Sequence, residues 1–264
     1  MGAVALATRA WRSECAGWLA LGAAAGPQPL FVLERRPPAL VCAWWRGDPG
    51  RMENNLLVEN PAADPVAGLA DVAPTLAASA CGTDLRLPPG PQAEAWVAAA
   101  RGYGFAERGS DVLMVCGLGG LRAGPATAPG LAVGRCPDPE THEQAVGVIR
   151  RVYGDSGGVA AFFNPRGLVD TYLARWHGHP AAAASLWCLA DVAGVFSVAT
   201  LPEYRHRGLA RAVVDVMLRD AAARDFGLAA LRTADRLVPL YARHGFVVAG
   251  RIRRLHRSTL APHA

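Results

Sequence analysis

The residues with the clearest chemical use are Arg205-His206-Arg207-Gly208-Leu209-Ala210. They follow the apolar stretch "VFSVATLP" and open a segment with apolar residues at 209, 213, 216, 217 and 221, the spacing of an amphipathic helix. The first turn of a helix leaves its backbone N–H groups unpaired, and the helix dipole adds positive charge there. Gly208 and Ala210 have little or no side chain, so a pyrophosphate can approach the backbone closely. Arg205, Arg207 and Arg211 add charge of the right sign. The chemistry this spacing serves is anion binding by main-chain amides.

A second stretch, Gly154-Asp155-Ser156-Gly157-Gly158, is the pentapeptide around the nucleophilic serine of trypsin-like proteases. A serine nucleophile also needs a histidine base, an orienting acid and an oxyanion hole. The only histidine upstream of Ser156 is His142, within a helical pattern. Glycine, aspartate and serine are also common turn residues. The stretch therefore reads as a turn between two helices. Cys188 on an apolar stretch reads as a small core residue, and His177-x-His179 lacks further ligands at metal spacing. No metal is expected.

The 264-residue chain is 52% apolar and 19% charged, which excludes a disordered protein. All 27 basic residues are arginine, and the net charge is +5. A mild positive excess suits an anionic ligand. The one dense basic run, "RIRRLHR" at 251–257, reads as a last strand rather than a nucleic-acid patch. Six cysteines form no C-x-x-C pair. No apolar stretch reaches the ~20 residues of a membrane span. The expectation is a soluble cytoplasmic protein with reduced cysteines.

The elements that must hold the loop follow a mixed α/β pattern. Residues 3–25 are helical, with strands at 31–36, 39–45 and 52–60. Residues 65–80 are helical, with Pro74 expected to break or kink them. Residues 89–105 read as a helix and 110–118 as a strand. Then come a strand at 131–136 and a helix at 137–154. A second helix is expected at 164–178, with Asn164 as N-cap and Pro165 at its first position. Residues 184–190 and 192–201 form a hairpin around Asp191. The helix from 208 is followed by a strand at 228–234, a short helix at 236–245 and a strand at 246–256. "AARGYGF" at 99–105 and "LYARHGF" at 240–246 form a faint repeat, each after a short helix and before a strand.

"VATLPEYRHRGLA" followed by "PLYARHGF" resembles the GCN5-related N-acetyltransferase (GNAT) superfamily over residues 129–256, most strongly over 194–248. The resemblance implies an α/β fold: a twisted mixed sheet, splayed in the middle and flanked by helices, with acetyl-CoA as co-substrate in the splay. It implies that Arg205, His206, Arg207, Gly208, Leu209 and Ala210 bind the CoA pyrophosphate. It implies that backbone groups of Val198 and Thr200 bind the pantetheine, and that Tyr241 is the general acid. It also implies that Phe162, Phe163 and the turn at 154–158 border the acceptor pocket. The chain departs from the pattern in two places. No Asp or Glu lies on "VFSVATL", so the base is unassigned, Glu203 and Asp191 being the nearest carboxylates. "TADR" at 233–236 replaces a segment that often holds a CoA-contacting Asn.

With the repeat, the resemblance gives a tandem layout. Residues 1–116 are a degenerate copy of the fold, 117–130 a linker and 131–264 the catalytic domain. The other reading of the first half is an unrelated extension. The expected function is transfer of an acetyl group from acetyl-CoA to a primary amine on a small molecule or peptide, in a ternary complex. Two alternatives stand beside it: an acyl donor on another carrier such as aminoacyl-tRNA, and a non-catalytic CoA-binding module. The acceptor and the oligomeric state, a dimer included, are left open.

Overall fold

A computed structural model describes residues 2–26, 30–47, 53–119, 128–154 and 159–258. The pentapeptide's Asp155 to Gly158 and most of the expected linker lie outside them. The chain divides into two compact units. Unit 1 comprises 1–113 and 249–264, and unit 2 comprises 114–248.

Unit 1 begins with α1 (Ala3–Ala24), which buries Ala7, Trp11, Trp18 and Leu21 on one side, as the sequence pattern requires. Three strands follow: β1 (Phe31–Arg36), β2 (Leu40–Trp45) and β3 (Asn54–Val58). α2 (Pro65–Ala78) starts at Asp64, whose carboxylate accepts from Val66 N at 2.9 Å, with Pro65 at the first helical position. β4 (Thr83–Leu87), α3 (Ala93–Gly102) and β5 (Ala106–Gly117) complete this stretch. Of the two effects expected of Pro74, the break does not occur: α2 continues to Ala78. Leu69, Val72 and Leu76 pack into the core on both sides of the proline, and that burial offsets the lost hydrogen bond.

Unit 2 contains β6 (Leu131–Arg135), α4 (Pro139–Tyr153), α5 (Val159–Phe162), β7 (Asp170–Trp176), β8 (His179–Trp187), β9 (Ala193–Thr200), α6 (Leu209–Ala223), β10 (Leu228–Thr233) and α7 (Val238–Ala242). Its strands run in the order β10-β9-β8-β7-β6, antiparallel except for the β9–β10 pair. Residues 164–178 do not form the expected helix. A single turn at Pro165, which accepts from Leu168 N and Val169 N, leads into β7. Tyr172 reaches Asp220 of α6, while Leu173 packs with Val146 and Ile149 of α4. Both faces of β7 are covered, so its sequence lacks the alternation that marks a strand. Asn164 does not cap a helix: its side chain bonds Ala160 O and Ser185 Oγ.

The last strand, β11 (Val247–Arg257), begins in unit 2 and from Ala249 belongs to unit 1. There the strand order is β1-β2-β3-β4-β11-β5, with Arg253 to Arg257 antiparallel to Leu87 to Thr83. The unit thus takes residues that the sequence reading assigned to the other half. The pairing is held by side chains as well as backbone. Arg253 meets Glu94 and Glu107, Arg254 meets Asp84 and Asp111, and His256 Nδ1 lies 3.0 Å from Asp84. The basic run is therefore matched by carboxylates. Glu53, Asp84 and His256 gather closely enough to hold a cation. The cations beside them are Arg108, Arg254 and Arg86 of the chain itself.

The faint repeat is a repeat of backbone geometry. Phe105 N bonds Ala100 O at 3.1 Å, and Phe246 N bonds Tyr241 O at 3.3 Å. Gly104 N bonds Arg101 O, and Gly245 N bonds Ala242 O, at 3.1 and 3.0 Å. The two glycines have φ of 82° and 85°. Each helix ends in the same left-handed cap before a strand, a conformation that favours glycine.

Candidate acyl-transfer site

The site starts from an opening in the sheet of unit 2. β9 and β10 are registered only at Ala193–Ala229 and Gly194–Ala230, although β9 continues to Thr200. Beyond Gly194 the two parallel strands separate. On its other edge β9 stays paired with β8 as far as Thr200, with a register shift between Ala183 and Ser185. Ala183 faces Ala199 and Ser185 faces Phe196, so one extra residue on β9 forms a bulge. Ser197 lies in it with φ of 53°. Leu201 N bonds Ala181 O at 3.0 Å. Backbone groups alternate along a strand, so those of Val198 and Thr200 point away from β8, toward the gap.

β9 feeds the loop. Leu201 is buried, a short 3₁₀ turn covers Pro202–Tyr204, and residues 205–208 are exposed. His206 and Gly208 have φ of 64° and 76°. Gly208 is the residue before α6, and no side chain caps the helix. The first intrahelical bond is Ala212 N to Gly208 O at 3.0 Å. Leu209 is buried and anchors the first turn, while Ala210 is half-buried beside it. The N–H groups of this turn face outward, where the helix dipole favours an anion. A Cβ at Gly208 would meet nothing within 4 Å, so glycine is required there by φ and not by space.

The three arginines of the loop differ in placement. Arg205 Nε reaches Thr200 O at 3.3 Å. Arg207 lies over the Trp176 ring, 5.6 Å from its centroid. Arg211 is 3.8 Å from Asp215, one helical turn on. Each guanidinium is thereby held near the loop.

Tyr241 lies on α7, 7% exposed, with its ring edge-on to Phe246. Burial first, and the neighbouring Tyr153 second, raise its phenol above the ordinary value. Tyr153, the last residue of α4, donates its hydroxyl to Val198 O at 2.6 Å. The sequence reading did not single it out, because a tyrosine at a helix end carries no local signature. A row of rings also reaches the bulged strand. Phe162 meets Phe163 edge-on, Phe163 stacks on Trp187 at 6.3 Å, and Trp187 stacks on Phe196 at 4.0 Å. Of these, only the two adjacent phenylalanines were legible as site candidates.

The other candidates carry less. Glu203 pairs with Arg151 at 3.0 Å, and its own backbone amide, with Arg151, holds its carboxyl below the usual range. It lines a groove of about 480 Å³ with Gln144, Gly147, Arg151, His179 and Tyr204. Asp191 is exposed in the β8–β9 turn. Burial pushes the Cys188 thiol up to about 11, so it is not a thiolate at neutral pH.

A splayed parallel strand pair, a bulge and an uncapped helix after a left-handed glycine form one continuous feature of unit 2, and solved structures share the fold that holds it. A GCN5-related N-acetyltransferase from Kribbella flavida aligns with a TM-score of 0.71 at 20% identity, covering 97% of this chain and 96% of its own. One from Sphaerobacter thermophilus aligns at 0.63 and 13% identity, over 83% and 76%. A tandem GNAT protein from the clavulanic acid biosynthesis pathway aligns at 0.59 and 17% identity, over 96% of both chains. No match was found among curated proteins. Residues 168–248 match the family model described as "Acetyltransferase (GNAT) domain". The fold is that of the GNAT superfamily, and the match to the family model lies wholly within unit 2.

Proposed function

We propose that unit 2 transfers an acetyl group from acetyl-CoA to a primary amine of a small molecule or peptide, within a ternary complex. The observation that carries this reading is the continuity of the opening with the loop. The free edge of β9 leads, through residues 201–208, to the uncapped start of α6. A pantetheine along the first and a pyrophosphate on the second form one extended ligand. Val198 and Thr200 offer backbone groups to the pantetheine amides. Residues 205–210 offer N–H groups to the phosphates, and Arg205, Arg207 and Arg211 balance the charge.

The chemistry needs little more. The neutral amine attacks the thioester carbonyl carbon, and a C–N bond forms. A backbone N–H at the bulge stabilises the developing oxyanion. The C–S bond breaks, and Tyr241 gives its proton to the departing sulfur. The proton lost by the amine nitrogen restores the phenol. Products are the amide and CoA thiol. No carboxylate stands on β9, so the amine loses its first proton to water before it attacks.

The basic run at 251–257 does not favour a charged tRNA donor, since its Arg253, Arg254 and His256 already meet carboxylates. The test is calorimetry with acetyl-CoA, followed by thiol release against a panel of amines. Saturable binding with acceptor-dependent release is expected. Failure to bind acetyl-CoA would overturn the reading.

A further inference from the structure

We infer that the Tyr153 hydroxyl is an internal stand-in for the donor, holding the Val198 carbonyl in the free protein and releasing it when acetyl-CoA binds. This rests on the donor site proposed above and adds a competing group to it. The Val198 carbonyl points into the gap between β9 and β10, where a pantetheine amide would donate to it. Its present donor is the Tyr153 hydroxyl at 2.6 Å.

Unit 1 holds the same device in fixed form. The Trp11 indole of α1 donates to Val58 O at 2.6 Å. Val58 ends β3, the strand that leads to α2, as Val198 lies near the end of the strand that leads to α6. In each unit the first helix sends an aromatic donor to the carbonyl of the strand before the next long helix. The surroundings differ. Trp11 is 1% exposed, and β3 is paired with β4 at four positions from Asn54–Thr83 to Leu57–Arg86. Tyr153 is 62% exposed, and β9 is unpaired with β10 beyond Gly194. A buried indole has nowhere to go. Tyr153 sits at a helix end, largely exposed as a residue although burial around its hydroxyl raises the phenol, and it can exchange one acceptor for another at small cost. Unit 1 keeps its carbonyl permanently filled, and unit 2 keeps it filled until a ligand claims it.

Donor binding then competes with one neutral O–H···O bond, a term of about two- to tenfold in affinity. The experiment titrates CoA into the wild-type protein and into Tyr153→Phe by calorimetry. The variant should bind CoA about two- to tenfold more tightly. Tyr153→Ala should shift in the same direction, and the circular dichroism of both should match wild type. Equal or weaker binding by folded variants, with wild type binding normally, overturns the stand-in role alone. If wild type and variants all fail to bind CoA, the donor-site reading falls and this inference falls with it.

Discussion

Tyr241 keeps its proton throughout the range in which an amine is nucleophilic. Its pKa is raised by burial and by Tyr153, and the acid form is the one present below that pKa. No fall in kcat from this group is therefore expected below pH ~10, the ordinary phenol value. A pH–rate profile should show only an acidic limb, set by deprotonation of the acceptor. A second limb near pH 8–9 would count against the assignment. Tyr241→Phe should lower kcat by about 10²–10⁴ while leaving the affinity for CoA nearly unchanged. Gly208 tests the other end of the donor. Gly208→Val forces a β-branched residue to φ of 76°, a strain of about 1–3 kcal/mol. Affinity for CoA should fall at least about tenfold. Gly208→Asn, which tolerates the left-handed region, should lose much less. Calorimetry on the pair separates conformation from bulk, because no atom crowds this position.

At the scale of elements, the starts of α2 and α6 show opposite solutions to the same problem. α2 closes its N-terminus with the Asp64 carboxylate, while α6 begins at a bare glycine. Asp64→Ala should destabilise unit 1 by about 1 kcal/mol in thermal unfolding, without altering CoA affinity. A change in affinity would mean that the cap does more than hold its helix. The sequence made α6, its loop and the β8–β9 hairpin legible, because turn chemistry and amphipathic spacing are local. It misassigned β7 because a strand covered on both faces loses its alternation, and Asn164-Pro165 mimicked a helix start. It could not show that α2 continues through Pro74, because the leucines and valine that keep the helix intact act through packing. Tyr153 was invisible for a similar reason: its partner Val198 is 45 residues away.

For the whole chain, one donor site is expected. Among the described residues, unit 1 has no counterpart to the opening, since β3 and β4 stay paired, and a carboxylate sits where the phosphates would go. The buried Ala100 occupies the place that Tyr241 has in the repeat. Calorimetry should give one acetyl-CoA per chain, and a stoichiometry of two would revive unit 1 as a catalytic copy. The allegiance of β11 could not be read from its own residues. A strand pattern declares a strand but not its neighbours, and His256 finds Asp84 across 172 positions.

That allegiance has a consequence during synthesis on the ribosome. The first unit cannot complete its sheet while it is being made, because residues 249–257, which lie between β4 and β5, are translated after the whole of the second. Until then Asp84 waits without His256 and Arg254, and the edges of β4 and β5 stay open. Unit 2 has all its residues available first, and the half translated earliest is the last to receive its final strand.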